Sequence, residues 1–237
     1  MKVFYFLGLT LIFIMGCGKT KNRNKPISEI AIQAENVSIV DTIFTFEKEE
    51  TGRIPSGWSP YFTGTGTKTD WKIVDDKGNK VLAQLSEENI EGHFNEIVYN
   101  GFDIKNVEME VRIKGFKGKM DKGGGFVWRF IDKNNHYILR ENPEEDNVVL
   151  YKMEKGKRSD LPLVGKGRTY GVKVPPLGLN WNTLKLTVKD SLFTVYLNGQ
   201  SLFQVKDTTF TNSGKIGLWT KADAVSYFDD FKVKELK

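Results

Sequence analysis

The chain predicts an all-β fold, a two-sheet antiparallel β-sandwich, on three observations. Its apolar residues recur at every second position over strand-length runs. Clusters of Gly, Asn and Asp part those runs, and 23 Gly, 16 Phe, 8 Tyr and 5 Trp in 237 residues suit pleated sheets packed face to face. No glycine-rich phosphate loop is present, which sets a dinucleotide-binding fold aside. With 39% hydrophobic and 27% charged residues there is material for one substantial core, so a single domain is expected over 43–237. The net charge of +5 is dispersed, with lysines interleaved among Asp and Glu. Without a basic block or a nucleic-acid motif, no nucleic-acid partner is expected.

At the start of the chain Met1-Lys2 carries positive charge, Val3–Met15 is almost wholly apolar, and Gly16 precedes Cys17. The apolar run falls short of the roughly 20 residues that span a bilayer comfortably. The Ile14-Met15-Gly16-Cys17 arrangement resembles the bacterial lipoprotein signal with its lipobox, although Met15 is an uncommon occupant of its slot. That resemblance implies that 1–17 is a signal peptide ending in a lipidated Cys17, which anchors the protein to a membrane of the cell envelope. Cys17 is the one cysteine, so no internal disulfide forms. Residues 18–42 read as a polar tether, and its cationic stretch Lys19–Lys25 suits anionic headgroups.

The domain is expected to open at Ile43–Glu47, followed by loops over Thr51–Trp58 and Thr63–Thr69 where Gly and Pro break regular structure. Trp71–Val74 and Lys80–Gln84 form a hairpin, and Glu96–Tyr99 and Val107–Ile113 are further strands. Glu108 and Glu110 share one face of the last. They invite comparison with retaining glycosidases, whose two carboxyls sit about 5–5.5 Å apart; a solvated acidic face is the plainer alternative. His93 and His136 have no metal-pair spacing and are expected at the surface or half-buried.

Gly123–Tyr151 reads as three antiparallel strands. Alternation places Phe126, Trp128 and Phe130 on one side with Tyr137 and Leu139, and Arg129 on the other. Closing the loop Pro143–Asp146 by pairing Asn142 with Asn147 brings Arg129, Arg140, Asn142, Asn147 and Tyr151 onto that second side. Guanidinium, amide and phenol groups on one face can meet sugar hydroxyls and a sugar ring. The alternative is an internal arginine ladder with Glu141, Glu144 or Glu145 as partners. Trp219 and Lys221 are further residues that can border this groove.

The C-terminal part is the most regular: a strand from Trp181, the Asn198-Gly199 hairpin, a Gly214-x-x-Gly217-Leu218-Trp219 strand, and a closing strand with Phe228-Asp229-Asp230-Phe231. With the central Gly123–Tyr151 segment, it resembles concanavalin A-like (LamG-type) jelly-roll domains of the 3-keto-disaccharide hydrolase-like family, over roughly 44–237. The resemblance implies a jelly roll whose concave outer sheet holds sugar, in a family of hydrolases, lyases and binding modules. This chain departs from the hydrolase branch in carrying Gly123-Gly124-Gly125 and Tyr137–Arg140 where that branch has an Asn-Ser-Gly and a Glu-x-Gln motif. Binding is therefore expected ahead of catalysis. The alternatives are a glycoside hydrolase or lyase and a purely structural or protein-interaction lipoprotein. No cofactor is required for binding. Related modules hold a structural calcium between the opening and closing strands, which implies Glu47 with one of Asp229 or Asp230 as ligands, completed by carbonyls of Thr51–Gly57. Otherwise the inward aspartate accepts hydrogen bonds and no metal binds.

Overall fold

The computed structural model describes residues 40–66 and 68–237; the expected signal peptide, Cys17 and almost all of the tether lie outside the described residues. Among those described there are sixteen strands and no helix. One antiparallel sheet runs β14 (Gln200–Lys206), β13 (Leu192–Leu197), β12 (Asn182–Lys189), β6 (Val107–Lys117), β16 (Val225–Glu235), β4 (Asn79–Gln84) and β3 (Trp71–Asp76), with β1 (Asp41–Phe44) paired to β16. The other runs β10 (Lys157–Asp160), β9 (Asn147–Glu154), β8 (Asn135–Asn142), β7 (Gly124–Asp132), β15 (Gly214–Lys221), β5 (His93–Ile104) and β2 (Trp58–Gly64), with β11 (Val172–Lys173) on β9.

Alternation builds the core. Val107, Met109, Val111 and Ile113 of β6 point inward and are buried, facing Phe126, Trp128, Tyr137 and Leu139 across the sandwich. Glu108 and Glu110 point outward to Lys185 and Lys232, at 3.0 and 2.8 Å, which is the solvated acidic face and not a catalytic pair. The Asn198-Gly199 turn joins β13 to β14 with positive φ at both residues (49° and 80°), the backbone that a two-residue hairpin requires. β2 is an edge strand with Pro60 as its third residue, a position that edge strands tolerate because no ladder donor is needed there.

Of the register shifts that break the period of two, those in β7 and β16 move expected site residues. In β7 the register shifts after Trp128, where Arg129 adopts φ 46°. The strand's second half therefore reverses its faces: Phe130 leaves the Phe126 and Trp128 side for the opposite one, contrary to the expectation from alternation. In β16 the register shifts after Asp229, where Asp230 has φ 48°, and Phe228 and Phe231 both reach the core.

Candidate functional site

β8 turns Arg140 and Asn142 away from the sandwich core, and β9 turns Asn147 and Tyr151 the same way; the register pairs Asn142 with Asn147 as expected. This outer face is not an open polar groove. Its centre is a second buried apolar cluster that includes Phe94, Val127, Phe130, Ile138, Tyr151 and Trp219. The sheet covers the face by curling over itself. Five strand spacings separate β10 from β5, about 24 Å in a flat sheet, yet Arg158 of β10 lies 4.6 Å from the Phe94 ring of β5. The tip of the β7–β8 hairpin reaches edge strand β2, where Phe130 packs 5.2 Å from Tyr61 and the Thr63 hydroxyl donates to the Lys133 carbonyl. The two hairpin tips are tied together by Gly156 N–H to the Asn134 carbonyl (3.0 Å) and Lys155 N–H to Asn135 Oδ1 (3.1 Å).

Four of the five expected site residues meet on this face and the fifth does not. Arg140 Nη2 donates to Glu145 Oε2 (3.0 Å) and Asn147 Oδ1 (2.8 Å), and Nη1 lies 3.6 Å from Asp121 Oδ2. Glu145 is thus the ladder partner. Glu141 points into the core instead, and Glu144 pairs with Lys122. Tyr151 bonds through its hydroxyl to Tyr170 (3.0 Å), and Asn142 Oδ1 accepts from Glu144 N–H. Arg129 is excluded by the bulge: its guanidinium turns to the opposite side and donates to the Lys105, Asp190 and Phe210 carbonyls. It staples loops at the end of the sandwich and does not belong to the site.

The structure adds Glu96, His136 and Arg158, and brings Trp219 and Lys221 to the same face. His136 and His93 are both fully buried, not surface residues. Glu96 Oε1 lies 3.8 Å from His136 Nε2 and 3.1 Å from the Thr63 hydroxyl. Burial holds the Glu96 carboxyl well above the ordinary range and pushes His136 down to about 4, favouring the neutral form of each. Arg158 stands over the rings of Tyr151 (4.5 Å), Phe94 (4.6 Å) and Trp219 (5.9 Å). Among the described residues eleven buried side-chain polar atoms lack a hydrogen-bond partner, and six lie on this face: Glu96 Oε2, His136 Nε2, Arg140 Nε, Arg158 Nη1, Asp160 Oδ2 and Trp219 Nε1. Sequence alternation carried Arg158 on a strand too short to recognise, and a lone His or Glu carries no motif.

Two other places hold less. The expected calcium ligands do not fit a cation shell: Asp229 accepts from Asn79 Nδ2 (3.0 Å) and Asp230 N–H (2.7 Å), both aspartates turn to Arg112 Nη1 at 3.6 and 3.1 Å, and Glu47 Oε1 accepts from Lys80 N–H. The bulge, by turning both aspartates to Arg112, removes the single inward carboxylate that strict alternation would give. No group of three or more ligating side chains suited to a metal occurs among the described residues. A cleft of about 840 Å³ opens between edge strands β2 and β3, lined by Tyr61, Phe62, Lys68, Asp70, Trp71 and Glu88 among others. Its unpartnered buried atoms are two, Thr69 Oγ1 and Trp71 Nε1, against six on the outer face.

No protein-family model matches the chain, and no curated protein matches it. Solved structures do. A carbohydrate-binding module, CBM66 from Bacillus subtilis, aligns over 76% of this chain and 96% of its own at 21% identity, with a TM-score of 0.57. Domain 4 of AbnA, an extracellular arabinanase from Geobacillus stearothermophilus in complex with arabinotriose, aligns over 83% of this chain and 93% of its own at 18% identity and a TM-score of 0.50. A xylan β-1,4-xylosidase from Bacillus halodurans aligns over 81% of this chain but only 39% of its own, at 13% identity and a TM-score of 0.54. At identities of 21% and below these are likenesses of fold: the described residues form a two-sheet antiparallel β-sandwich of the jelly-roll kind.

Proposed function

We propose that this protein is a lipid-anchored carbohydrate-binding domain of a bacterial cell envelope, taking sugar at the outer face of the second sheet around Tyr151, Trp219 and Arg158. The observation that carries the reading is the set of six buried, unpartnered polar atoms on that face. Leaving one such group unpaired costs about 1–3 kcal/mol, so a face with six calls for an outside partner. The set mixes donors (Trp219 Nε1, Arg140 Nε, Arg158 Nη1) with acceptors (Glu96 Oε2, Asp160 Oδ2), and sugar hydroxyls both donate and accept. Tyr151 and Trp219 are buried beneath Arg158, and the exposed ring of Tyr170, bonded to Tyr151, is the apolar surface that the C–H face of a sugar can pack on. A glycan array probed with the purified protein tests this; silence across neutral and charged glycans overturns it.

A second reading, glycoside hydrolysis or elimination, is favoured by one observation: the Glu96 carboxyl lies 3.8 Å from His136 in a buried setting that raises it, the direction a general acid requires. Release of product from disaccharides or their 3-keto forms, lost in Glu96→Gln, supports it; binding without turnover rejects it. The anchor rests on Met1–Cys17. Cys17→Ser is expected to shift the protein from the membrane to the soluble fraction, and retention in the membrane overturns lipidation as the means of attachment.

A further inference from the structure

The outer face taken as the carbohydrate site is not chemically uniform: its unpartnered atoms divide into two groups. Under the β7–β8 tip lie Glu96, His136 and Thr63, which can accept as well as donate. Around the Tyr151 ring three unpartnered atoms are donors, Arg140 Nε, Arg158 Nη1 and Trp219 Nε1, against one unpartnered acceptor, Asp160 Oδ2. Asp160, opposite Tyr151 in the register, is bonded by Arg168 through Oδ1 and its carbonyl and forms no ion pair with Arg158, so its free Oδ2 does not answer the guanidinium.

Arg158 is the residue that distinguishes this half. Arg140 has carboxylates at Glu145 and Asp121, and Lys221 has Glu91 at 2.8 Å and Asp121 at 3.7 Å. Arg158 has none within 4 Å among the described residues; three aromatic rings face its guanidinium, and Nη1 is buried without an acceptor. Rings favour a cation but accept no N–H hydrogen bond in the guanidinium plane, so its planar donor edge remains available. The side chain is only partly buried and Tyr170, bonded to Tyr151, is exposed, so a ligand reaches this half from solvent.

Resting on the carbohydrate reading of the same face, we infer that the sugar it takes is acidic: a uronic acid or other carboxylate-bearing residue whose carboxylate pairs with Arg158, with Trp219 Nε1 as a further donor. A neutral sugar would leave the guanidinium without a counter-charge in a partly desolvated, aromatic setting. A carboxylate offers two oxygens that match the fork bidentately.

The test uses the purified full chain and a panel of acidic oligosaccharides (oligogalacturonate, oligoalginate, hyaluronan fragments, glucuronoxylan fragments), each beside its carboxyl-reduced, neutral counterpart. The expected result is binding of at least one acid, with affinity for its reduced counterpart weaker by about tenfold or more, the value of one charge-assisted hydrogen bond. Arg158→Gln erases the difference between the pair, and Arg158→Lys, which keeps charge but not the fork, retains part of it. Thermal melts show whether each variant is folded, and for a variant that is not, the acid-to-reduced ratio of the unmodified protein decides alone. Equal binding of acid and reduced sugar, or an unchanged ratio in folded Arg158→Gln, overturns the inference while leaving carbohydrate binding standing. No binding of any glycan, charged or neutral, overturns both.

Discussion

Glu96 Oε1 and His136 Nε2 lie 3.8 Å apart on strands that are not neighbours, and both side chains are wholly shut off from solvent. Burial dominates the pair, so His136, ordinarily near 6.5, is held to about 4. A depressed histidine binds fewer protons folded than unfolded, so its contribution to stability is lost as pH falls from 6.5 to 4, by up to about 3 kcal/mol. NMR of the imidazole is expected to show it neutral at pH 5. A midpoint near 6.5 would mean the curled hairpins admit water freely.

Glu141 carries the opposite sign. It points into the core with both carboxylate oxygens unpartnered, and burial pushes it up to about 8. The folded chain therefore holds a proton that the unfolded chain releases above about 4.5, and stability falls as pH rises from there to 8. Glu141→Gln should remove up to about 4 kcal/mol of that fall, giving a flatter denaturant midpoint against pH and a more stable domain at pH 8. A variant with the same slope as the wild type would show that Glu141 is solvated.

Arg129→Met is expected to cost roughly 3 kcal/mol, because it strips donors from the buried Phe210 carbonyl and the partly buried Lys105 and Asp190 carbonyls, and to leave sugar affinity unchanged. Urea unfolding beside glycan binding separates the two effects. A loss of affinity in folded protein would return Arg129 to the site.

Arg140→Ala acts on both. It leaves Glu145 without its cation and Asp121 with Lys221 alone at 3.7 Å, so a loss of about 3–5 kcal/mol is expected, together with weaker binding. If affinity holds while stability falls, Arg140 is a ladder only.

Calcium and chelator should give the same melting temperature, since Arg112 already supplies positive charge to Asp229 and Asp230. Bound calcium at 100 times its dissociation constant would add about 2.7 kcal/mol, well within detection.

Much of the fold is legible in the residues. The alternation of Val107–Ile113, the Asn198-Gly199 hairpin and the pairing of Asn142 with Asn147 each arise from local pattern, and each is found. What pattern does not carry is a change of phase. Arg129 and Asp230 take positive φ inside strands, a conformation uncommon for either residue, and each reverses the faces of the residues after it; hence Arg129 and Phe130 exchange sides, and both aspartates turn to Arg112. β2 goes unrecognised because Pro60 interrupts it between the loops expected at Thr51–Trp58 and Thr63–Thr69, and β10 because it is four residues long. Nor does any one segment announce that a sheet will curl until Arg158 touches Phe94, because that closure is set by the twist of six strands together.

Pro60 has a colloidal consequence as well. Strand β2 ends its sheet with an open row of backbone groups, the kind of margin along which copies of a β-protein zip into fibrils. The imide nitrogen of Pro60 in that margin cannot donate, so an incoming strand finds its ladder interrupted with two residues of β2 before the break and four after it. Crowded side by side, such domains stay separate particles. Pro60→Thr, with the sandwich intact, is the single change expected to make concentrated solutions of this protein form thioflavin-positive aggregates.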